Sequence, residues 1–369
     1  MTKSDDQAYM VRAVQLARKG LYTTDPNPRV GCVLVKAGEI IGEGWHERAG
    51  DPHAEIIALN QAGGQARNST AFVTLEPCCH TGRTGPCVEA IIEAGISRVV
   101  CSAVDPSPLV FGAGLRRLEQ AGIIVETGLL EDSAANLNPG YLMRMKCGRP
   151  LVRSKLAVSL DGRTALASGE SQWITGEASR VDVHSWRARS SAVVTGIGTV
   201  LNDDPSLNAR LTDSNRNVLQ PLRIVIDSQL QTPPSAKLID LPGGVVIFTK
   251  QSTLLHAQNQ AQALSDKGVI IEAVSGVEQC NLEQVIQRLG EMEINEVWVE
   301  AGAKLNGSLL EMGLVDELIL YVAPHFLGAD SQGMFCIEPL ASLEHRIQVT
   351  YEDISRVGED IRIIACLAE

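Results

Sequence analysis

Residues 53–87 read HAEIIALNQAGGQARNSTAFVTLEPCCHTGRTGPC, a stretch that holds one histidine, one glutamate and two cysteines in a suggestive order. An imidazole and two thiolates can supply three ligands to Zn²⁺ and leave its fourth position for water. Zinc lowers the pKa of that water to about 7, which provides hydroxide at neutral pH. We predict that His53, Cys78 and Cys87 bind zinc and that Glu55 is the catalytic acid and base that transfers the protons.

The order of these residues is typical of zinc nucleobase deaminases, whose signature is His-x-Glu followed by Pro-Cys-x-x-Cys. Here eight residues separate Cys78 from Cys87, so the chain carries a variant of that signature. Adjacent cysteines point in different directions, and we expect Cys79 to be structural. In the alternative interpretation His53 caps a helix and the cysteines are small buried hydrophobes, which leaves the clustering of soft ligands and a carboxylate unexplained.

The length of 369 residues indicates two domains, and alternating strands and helices indicate the α/β class for both. Gly148-Arg149-Pro150 is a plausible boundary, which gives domains 1–147 and 148–369. His53 and Cys87 each fall at a predicted helix N-terminus, where the helix dipole favours negative charge. Further on we predict helices at 133–146 and 254–267, and closing antiparallel strands at 318–323, 346–351 and 361–366.

Composition excludes several classes of protein. A net charge of −12 argues against a protein that coats nucleic acid or an anionic membrane. No run of 18 apolar residues predicts a membrane span, and the first residues do not resemble a signal peptide. Nine cysteines, an odd number, favour a reduced cytoplasmic protein.

The second half lacks a dinucleotide fingerprint, because no third glycine follows Gly196-Ile197-Gly198. The glycine-bounded segment 302–308 is not a P-loop either, since no lysine follows Gly307. It does follow a predicted strand and open a predicted helix, so its backbone N–H groups can hold a phosphate. An ordinary strand-to-helix turn is the equally open alternative.

Several motifs of the first half resemble one known family: Pro26-Asn27-Pro28-x-Val30-Gly31-Cys32, Gly44-Trp45-His46, His53-Ala54-Glu55, Glu76-Pro77-Cys78, Gly82-Arg83-Thr84 and Asp105-Pro106. They are similar to the N-terminal half of the bifunctional deaminase/reductase of riboflavin biosynthesis. The resemblance implies a cytidine-deaminase-like α/β/α fold and substrate contacts by Asn27, His46, His80 and Arg83. Taken alone, Asn27 could equally be a turn residue and His46 a cap. The chain departs from the family at Gly85, usually Pro, and at Cys79, usually Ser or Ala.

The second half resembles the reductase part of the same family through Ser154-Lys155-Leu156-Ala157, Ser159-Leu160-Asp161-Gly162, Ser168-Gly169-Glu170-Ser171-x-Trp173-Ile174-Thr175, Thr195-Gly196-Ile197-Gly198-Thr199-Val200-Leu201, Asp203-Asp204-Pro205-x-Leu207, Asp227-Ser228 and Glu300-Ala301-Gly302. The two halves cover nearly the whole chain in the family's order. This resemblance implies a dihydrofolate-reductase-like α/β domain that uses NADPH.

The resemblance also implies residue roles in the reductase. Cofactor contacts are expected at Ala157, Trp173, Thr199, Asp203, Ser228, Gly302, Ala303, Lys304, Leu305, Asn306, Gly307 and Ser308. The substrate's ribose phosphate should meet Ser171, Arg187 and Arg210, with Leu207 nearby, since guanidinium groups bind phosphate bidentately. Lys155 and Glu300 are the catalytic candidates, and Glu300 is expected to orient the substrate. Structural ion pairs are the alternative for both arginines and for the Lys155 and Glu300 pair.

The family resemblance therefore implies hydrolytic deamination of 2,5-diamino-6-(5-phosphoribosylamino)pyrimidin-4(3H)-one by zinc-activated hydroxide. NADPH reduction of the ribosyl group then gives 5-amino-6-(5-phosphoribitylamino)uracil. We expect a homodimer or higher homo-oligomer through the reductase domain, and no nucleic-acid or membrane partner. Three alternatives stay open at this point: a nucleic-acid base deaminase, a zinc-holding protein without catalysis, and an enzyme in which only one half is active.

Overall fold

The computed structural model describes residues 3–80, 85–211 and 218–367 of the chain. The chain divides into two compact units, Met1–Gly148 and Arg149–Glu369. Each unit has its own sheet and its own buried apolar core. Within the described ranges, no helix is long and apolar enough to cross a membrane.

The first unit is a five-stranded sheet in the order β2-β1-β3-β4-β5. Its strands are β1 Gly31–Lys36, β2 Glu39–Trp45, β3 Thr70–Leu75, β4 Arg98–Ala103 and β5 Ile124–Thr127. Its helices are α1 Lys3–Ala17, α2 Ala54–Ala62, α3 Cys87–Glu93, α4 Ala113–Gln120, α5 Glu131–Ala135 and α6 Pro139–Cys147. Helices α2, α3 and α4 pack on one face of the sheet and α1 packs on the other, which makes three layers.

Two glycines let α2 approach the sheet closely. A Cβ atom on Gly42 would lie 2.3 Å from the carbonyl oxygen of Ala58, and one on Gly44 would lie 2.2 Å from that of Ala54. Both distances are far below van der Waals contact, so only glycine allows this packing. The close approach fixes the start of α2, where His53 and Glu55 lie, against the end of β2.

The second unit is a nine-stranded sheet in the order β11-β10-β9-β8-β12-β6-β13-β16-β15, with a two-stranded β7-β14 ribbon. The strands are β6 Leu151–Ser159, β7 Arg163–Ala165, β8 Ala192–Gly196, β9 Leu222–Ile226, β10 Val245–Lys250, β11 Ile270–Val274, β12 Glu296–Val299, β13 Glu317–Ala323, β14 Gln332–Gly333, β15 Val349–Val357 and β16 Asp360–Leu367. The helices are α7 Glu177–Arg189, α8 Ile197–Asp203, α9 Gln251–His256, α10 Gln258–Ser265, α11 Leu282–Glu291 and α12 Ala303–Glu311. The strands from β11 to β13 run parallel, and β16 is antiparallel to both of its neighbours.

Several predicted elements were wrong in detail. The helix expected at 133–146 is two helices, because Pro139 cannot continue α5 and instead begins α6. The helix expected at 254–267 is also broken, at Ala257, whose φ of −107° and ψ of 36° leave the helical range. The strand expected at 346–351 begins later and runs to Val357, because it pairs along its length with β16.

The segment 302–308 follows β12 and begins a helix, as the sequence predicts. Gly302 is the N-cap of α12, and Ala303 onward is helical. Asn306 is fully buried, accepts a hydrogen bond from Ser154 at 2.7 Å and donates one to the carbonyl of Ala301 at 2.7 Å. Gly307 packs against the backbone of Cys336. The side of α12 that carries these two residues therefore faces the protein.

Candidate active sites

The three predicted zinc ligands come together in the first unit. His53 is the residue before α2 and its side chain makes no capping hydrogen bond, Cys87 begins α3, and Cys78 lies in the loop after β3. The Nδ1 atom of His53 lies 3.5 Å from the Sγ atom of Cys78 and 3.3 Å from that of Cys87. All three ligand atoms lie within 4.8 Å of one another.

These distances fit a tetrahedral zinc ion. Zn–S bonds of about 2.3 Å and Zn–N bonds of about 2.0 to 2.1 Å at tetrahedral angles place N and S about 3.6 Å apart. The observed separations of 3.3 and 3.5 Å are close to that value. The Sγ atom of Cys79 lies 3.8 Å from the carbonyl of Leu109 and stands outside the cluster. The donor set therefore matches a three-ligand zinc site.

Hydrogen bonds among the three ligand side chains shift their pKa values. Hydrogen bonds from the Cys87 thiol and from His53 lower the pKa of Cys78 to about 4, against the opposing effect of burial. The same contact with Cys78, followed by burial, raises the pKa of Cys87. Burial, and then the charge of Cys78, raise the pKa of Glu55 to about 7. A buried carboxyl group that titrates near neutrality can both accept and donate a proton.

Asn27 and His46 form the wall beside the ligands. The side-chain amide of Asn27 donates to Nε2 of His46 at 3.0 Å, and Nδ1 of His46 lies 3.2 Å from the carbonyl of Pro52. This pattern requires the neutral tautomer with its proton on Nδ1. Burial lowers the pKa of His46, which agrees with that assignment. The His46 ring meets the His53 ring edge to face, with centroids 5.2 Å apart.

The other two predicted substrate contacts of the first unit are His80 and Arg83. His80 is exposed. Arg83 lies outside the described residues, so its predicted contact with the substrate stays a prediction.

Glu76 is a residue whose role the sequence did not reveal. Its buried carboxylate accepts hydrogen bonds from the backbone N–H groups of Asp105, Gly112, Gly114 and Leu115 at 2.9 to 3.3 Å. These bonds connect the loop before α4 and the first turn of α4 to the residue that precedes Pro77-Cys78. A Cβ atom on Gly114 would lie 2.3 Å from the carbonyl of Pro77, so the two segments are in close contact. The sequence did offer one signal for a structural role of Glu76, because this acidic residue directly follows the fully buried strand β3.

In the second unit, Glu300 lies at the centre of a charged network. Arg187 donates to both carboxylate oxygens of Glu300, with distances of 2.5 and 2.9 Å, and Trp298 Nε1 donates at 2.9 Å. Burial opposes ionisation, but the charge and hydrogen bonds of Arg187 prevail and lower the pKa of Glu300 to about 2. Burial also lowers the pKa of the nearby Lys155, with the charge of Arg187 acting in the same direction. The alternative to phosphate binding for Arg187 was a structural ion pair, and Glu300 is its partner in such a pair.

Arg210 lies beside a histidine that the sequence did not single out. One guanidinium nitrogen donates to the side chain of Asn208 at 2.8 Å, and the other lies 3.1 Å from Nε2 of His184. Burial, followed by the charges of Arg187 and Arg210, lowers the pKa of His184 to about 4, so His184 is neutral and accepts this bond. Leu207, one of the predicted substrate neighbours, is buried in the apolar cluster around Trp186.

The remaining predicted cofactor and substrate residues lie mainly at the carboxyl ends of the parallel strands. Ser171 is half-buried, and Trp173 is 70% exposed beneath the guanidinium of Arg180. Ala157 lies near the end of β6, and Thr199 and Asp203 lie on α8, after β8. Gly302, Ala303, Lys304, Leu305 and Ser308 lie on or next to α12, after β12, and Ser228 follows β9. Because carboxyl ends of parallel strands share one sheet edge, these residues line that edge, where open α/β sheets bind ligands.

Comparison with known proteins gives a match for each half. Residues 150–363 match the family described as RibD C-terminal domain. Residues 3–103 match the cytidine and deoxycytidylate deaminase zinc-binding region.

Full-length relatives are similar over both halves. The riboflavin biosynthesis protein RibD of Escherichia coli is 47% identical and covers 96% of this chain and 98% of its own length. The Haemophilus influenzae protein of the same name is 45% identical over 98% of this chain and 97% of its own. The structure of Acinetobacter baumannii RibD matches with a TM-score of 0.91, 44% identity and 99% coverage of both chains. A deaminase/reductase structure from Thermotoga maritima matches with a TM-score of 0.86, 31% identity and 99% coverage of both.

Proposed function

The chain belongs to the RibD family of bifunctional deaminase/reductases of riboflavin biosynthesis, and we propose that both of its halves are active on successive substrates. The first half would deaminate 2,5-diamino-6-(5-phosphoribosylamino)pyrimidin-4(3H)-one. The second would reduce the ribosyl group of the product with NADPH to give 5-amino-6-(5-phosphoribitylamino)uracil. The Thermotoga maritima relative carries a name that describes this pair of activities.

In the deaminase, His53, Cys78 and Cys87 would hold Zn²⁺. The metal, when bound, makes water a nucleophile at neutral pH. Glu55 would accept the proton of that water and deliver protons to the ring nitrogen and the leaving ammonia. The pKa of about 7 that burial gives Glu55 suits both steps. Asn27 and His46, fixed by their mutual hydrogen bond, would orient the pyrimidine.

The observation that carries the deaminase proposal is the agreement of the N···S distances with tetrahedral zinc. The test is to measure zinc content and ammonia release for the wild type, Cys87→Ser and Cys79→Ser. Cys87→Ser should lose zinc and ammonia release together, whereas Cys79→Ser should retain both. Equal loss in the two variants, or none in either, would contradict the assignment of ligands.

In the reductase, NADPH would supply the hydride. The substrate's sugar, as an open-chain aldehyde or the derived imine, would accept it, and oxygen or nitrogen at that carbon would gain negative charge. Lys155 would stabilise that charge or deliver the proton, a role that its lowered pKa supports. Glu300, held rigidly by Arg187 and Trp298, would orient the substrate.

Ser171, Arg187 and Arg210 would bind the ribose phosphate, with Leu207 nearby. Arg210 is exposed and has a neutral histidine and an amide as its described partners, which leaves its charge available to an anion. The N–H groups at the start of α12 would receive a cofactor phosphate, since a helix N-terminus favours negative charge. Gly302, Ala303 and Lys304 offer these groups.

For the quaternary structure, we propose a homodimer through the β15–β16 hairpin of the second unit. Strand β15 is the edge of the nine-stranded sheet, and an edge strand presents unpaired backbone groups. Its side chains include Tyr351, 63% exposed, and Ile354, 59% exposed, and Leu343 just before it is 81% exposed. A second copy of the chain would cover this apolar face.

Light scattering on size-exclusion fractions tests the dimer. Ile354→Lys should give a monomer, whereas Leu255→Lys, at an exposed leucine on α9, should leave the mass unchanged. A dimer that survives Ile354→Lys would contradict the proposed interface. We also propose a cytoplasmic location, which the nine free cysteines support.

A further inference from the structure

The carboxyl ends of the parallel strands in the second unit carry one buried cation, Lys250. It has no carboxylate partner among the residues that the structure describes. Lys250 ends β10 and is only 8% exposed. Its ammonium group donates to the carbonyl of Val277 at 3.1 Å, which uses one of its three N–H bonds. Buried lysines are rare without a paired anion, so this one needs an explanation.

Lys250 lies next to a predicted cofactor contact. Strand β10 runs parallel to β9, and Ser228 follows β9 at the same edge. Thr253, just after Lys250, donates to the carbonyl of Ser228 at 2.8 Å. The hydroxyl of Ser228 accepts from the N–H of Cys280 at 2.9 Å, and the charge of Lys250 acts on Cys280. Ser228, Lys250 and the segment 275–281 thus form one connected group.

The position of this group in the sheet indicates which part of a dinucleotide it would meet. Lys155 and Glu300, the proposed reacting centre, lie on β6 and directly after β12. The order β6-β12-β8-β9-β10 places Lys250 four strand spacings from Lys155, or about 19 Å. With the nicotinamide at the reacting centre and the phosphates at α12, the adenosine would extend toward β9 and β10. Asp227, which directly follows β9, accepts hydrogen bonds at its Oδ2 atom from the N–H and hydroxyl groups of Thr232, both at 2.7 Å.

We infer that Lys250 binds the 2′-phosphate of the adenosine and so makes the reductase select NADPH over NADH. The inference rests on the proposed reductase function. The 2′-phosphate is the one group by which the two cofactors differ, and a phosphate monoester carries about −1.5 to −2 charges at pH 7. The ammonium group of Lys250 is mostly buried and already donates to the carbonyl of Val277. Binding of the 2′-phosphate would therefore cost little additional side-chain entropy.

The experiment measures binding of NADPH, NADH and 2′,5′-ADP to the full-length protein by calorimetry, for the wild type, Lys250→Met, Lys250→Arg and Lys267→Met. Methionine keeps the packing of the side-chain stem, and Lys267 is an exposed control paired with Asp240. Lys250→Met should weaken NADPH and 2′,5′-ADP by about 10- to 100-fold, the loss expected for a hydrogen bond between charged groups. It should change NADH binding less than about 2-fold, and Lys250→Arg should restore most of the preference for NADPH.

Other outcomes separate this inference from the proposed function. If the wild type prefers NADPH and Lys250→Met keeps that preference, Lys250 is not the selecting residue, although the reductase proposal stands. Equal weakening of NADPH and NADH would mean that Lys250 only supports the segment 275–281, and would overturn the inference. If the wild type binds neither cofactor, both the inference and the reductase proposal fail.

Discussion

Replacing Arg187 by methionine should destabilise the second unit by about 3 kcal/mol, because it deprives the buried Glu300 carboxylate of its main partner. The two side chains are 13% and 14% exposed and meet through two hydrogen bonds. Breaking a buried ion pair by removing one partner costs about 3 to 5 kcal/mol. Glu300 keeps the Trp298 hydrogen bond and the nearby charge of Lys155, so we expect the lower end of that range.

The size of the change can be read from thermal unfolding. For a domain of this size, about 1 kcal/mol lowers Tm by roughly 2 to 4 °C, so the transition of the second unit should fall by roughly 6 to 12 °C. Arg288→Met is the matched control, because Arg288 pairs with Glu272 and Glu291 at a more exposed position. Its loss should cost less than about 1 kcal/mol.

The pH dependence distinguishes a lost ion pair from a simple packing defect. In the wild type the pKa of Glu300 is about 2, below its unfolded value, so its ionised form stabilises the fold above the unfolded pKa. That stability is lost as the pH falls toward 2. In Arg187→Met, burial should raise the pKa of Glu300 above its unfolded value, so the penalty is present at neutral pH and relieved on acidification.

The difference in Tm between wild type and Arg187→Met should therefore narrow as the pH is lowered from about 8 to about 4. Differential scanning calorimetry of the full-length protein at several pH values measures it. A shift no larger than that of Arg288→Met, or a large shift that is the same at every pH, would refute the reasoning.

Three further predictions concern the first unit. Gly44→Ala should push α2 away from the sheet, since its Cβ would lie 2.2 Å from the carbonyl of Ala54, and lower zinc affinity by roughly 10-fold in competition with a chromophoric chelator. Gly64→Ala is the control: nothing lies within 4 Å of the new Cβ atom, so this variant should keep the zinc affinity of the wild type. Glu76→Gln should cost the first unit about 2 kcal/mol in urea denaturation, because an amide nitrogen would face backbone N–H donors; an unchanged midpoint would contradict this. Removing zinc with a chelator should abolish ammonia release and leave reduction of the deaminated substrate intact, as measured by NADPH absorbance; retained ammonia release would exclude a catalytic metal.

The fold class was predictable because its signals are local. Alternating strands and helices, the histidine before α2 and the cysteine that begins α3 are visible in the sequence, and the α/β fold is confirmed. The convergence of His53, Cys78 and Cys87 depends on how α2 and α3 pack on the sheet. The zinc-deaminase motif predicted that these three residues meet, whereas the hydrophobic periodicity of the helices and strands does not show it. The ion pair of Arg187 with Glu300 joins residues far apart in the chain, so sequence could offer it only as an alternative to phosphate binding.

Several features of the two sites depend on tertiary contacts that no local pattern shows. The sequence left open whether the segment 302–308 binds a phosphate or is an ordinary strand-to-helix turn, and it could not show that Ser154 and Cys336 contact Asn306 and Gly307 on α12. The role of Glu76 was not visible because its four hydrogen-bond donors lie 29 to 39 residues further along the chain. His184 was not recognised because its neighbour Arg210 reaches it from a different segment.

The most direct test of the whole account supplies the phosphoribosylated diaminopyrimidine to the zinc-loaded protein and follows ammonia release and NADPH oxidation together, beside Glu55→Ala. The account predicts that ammonia appears without NADPH and that NADPH oxidation requires prior deamination. Glu55→Ala should abolish both signals yet still reduce substrate that has already been deaminated. Absence of ammonia from zinc-loaded wild type, or NADPH oxidation that proceeds unchanged in Glu55→Ala without deamination, would contradict it.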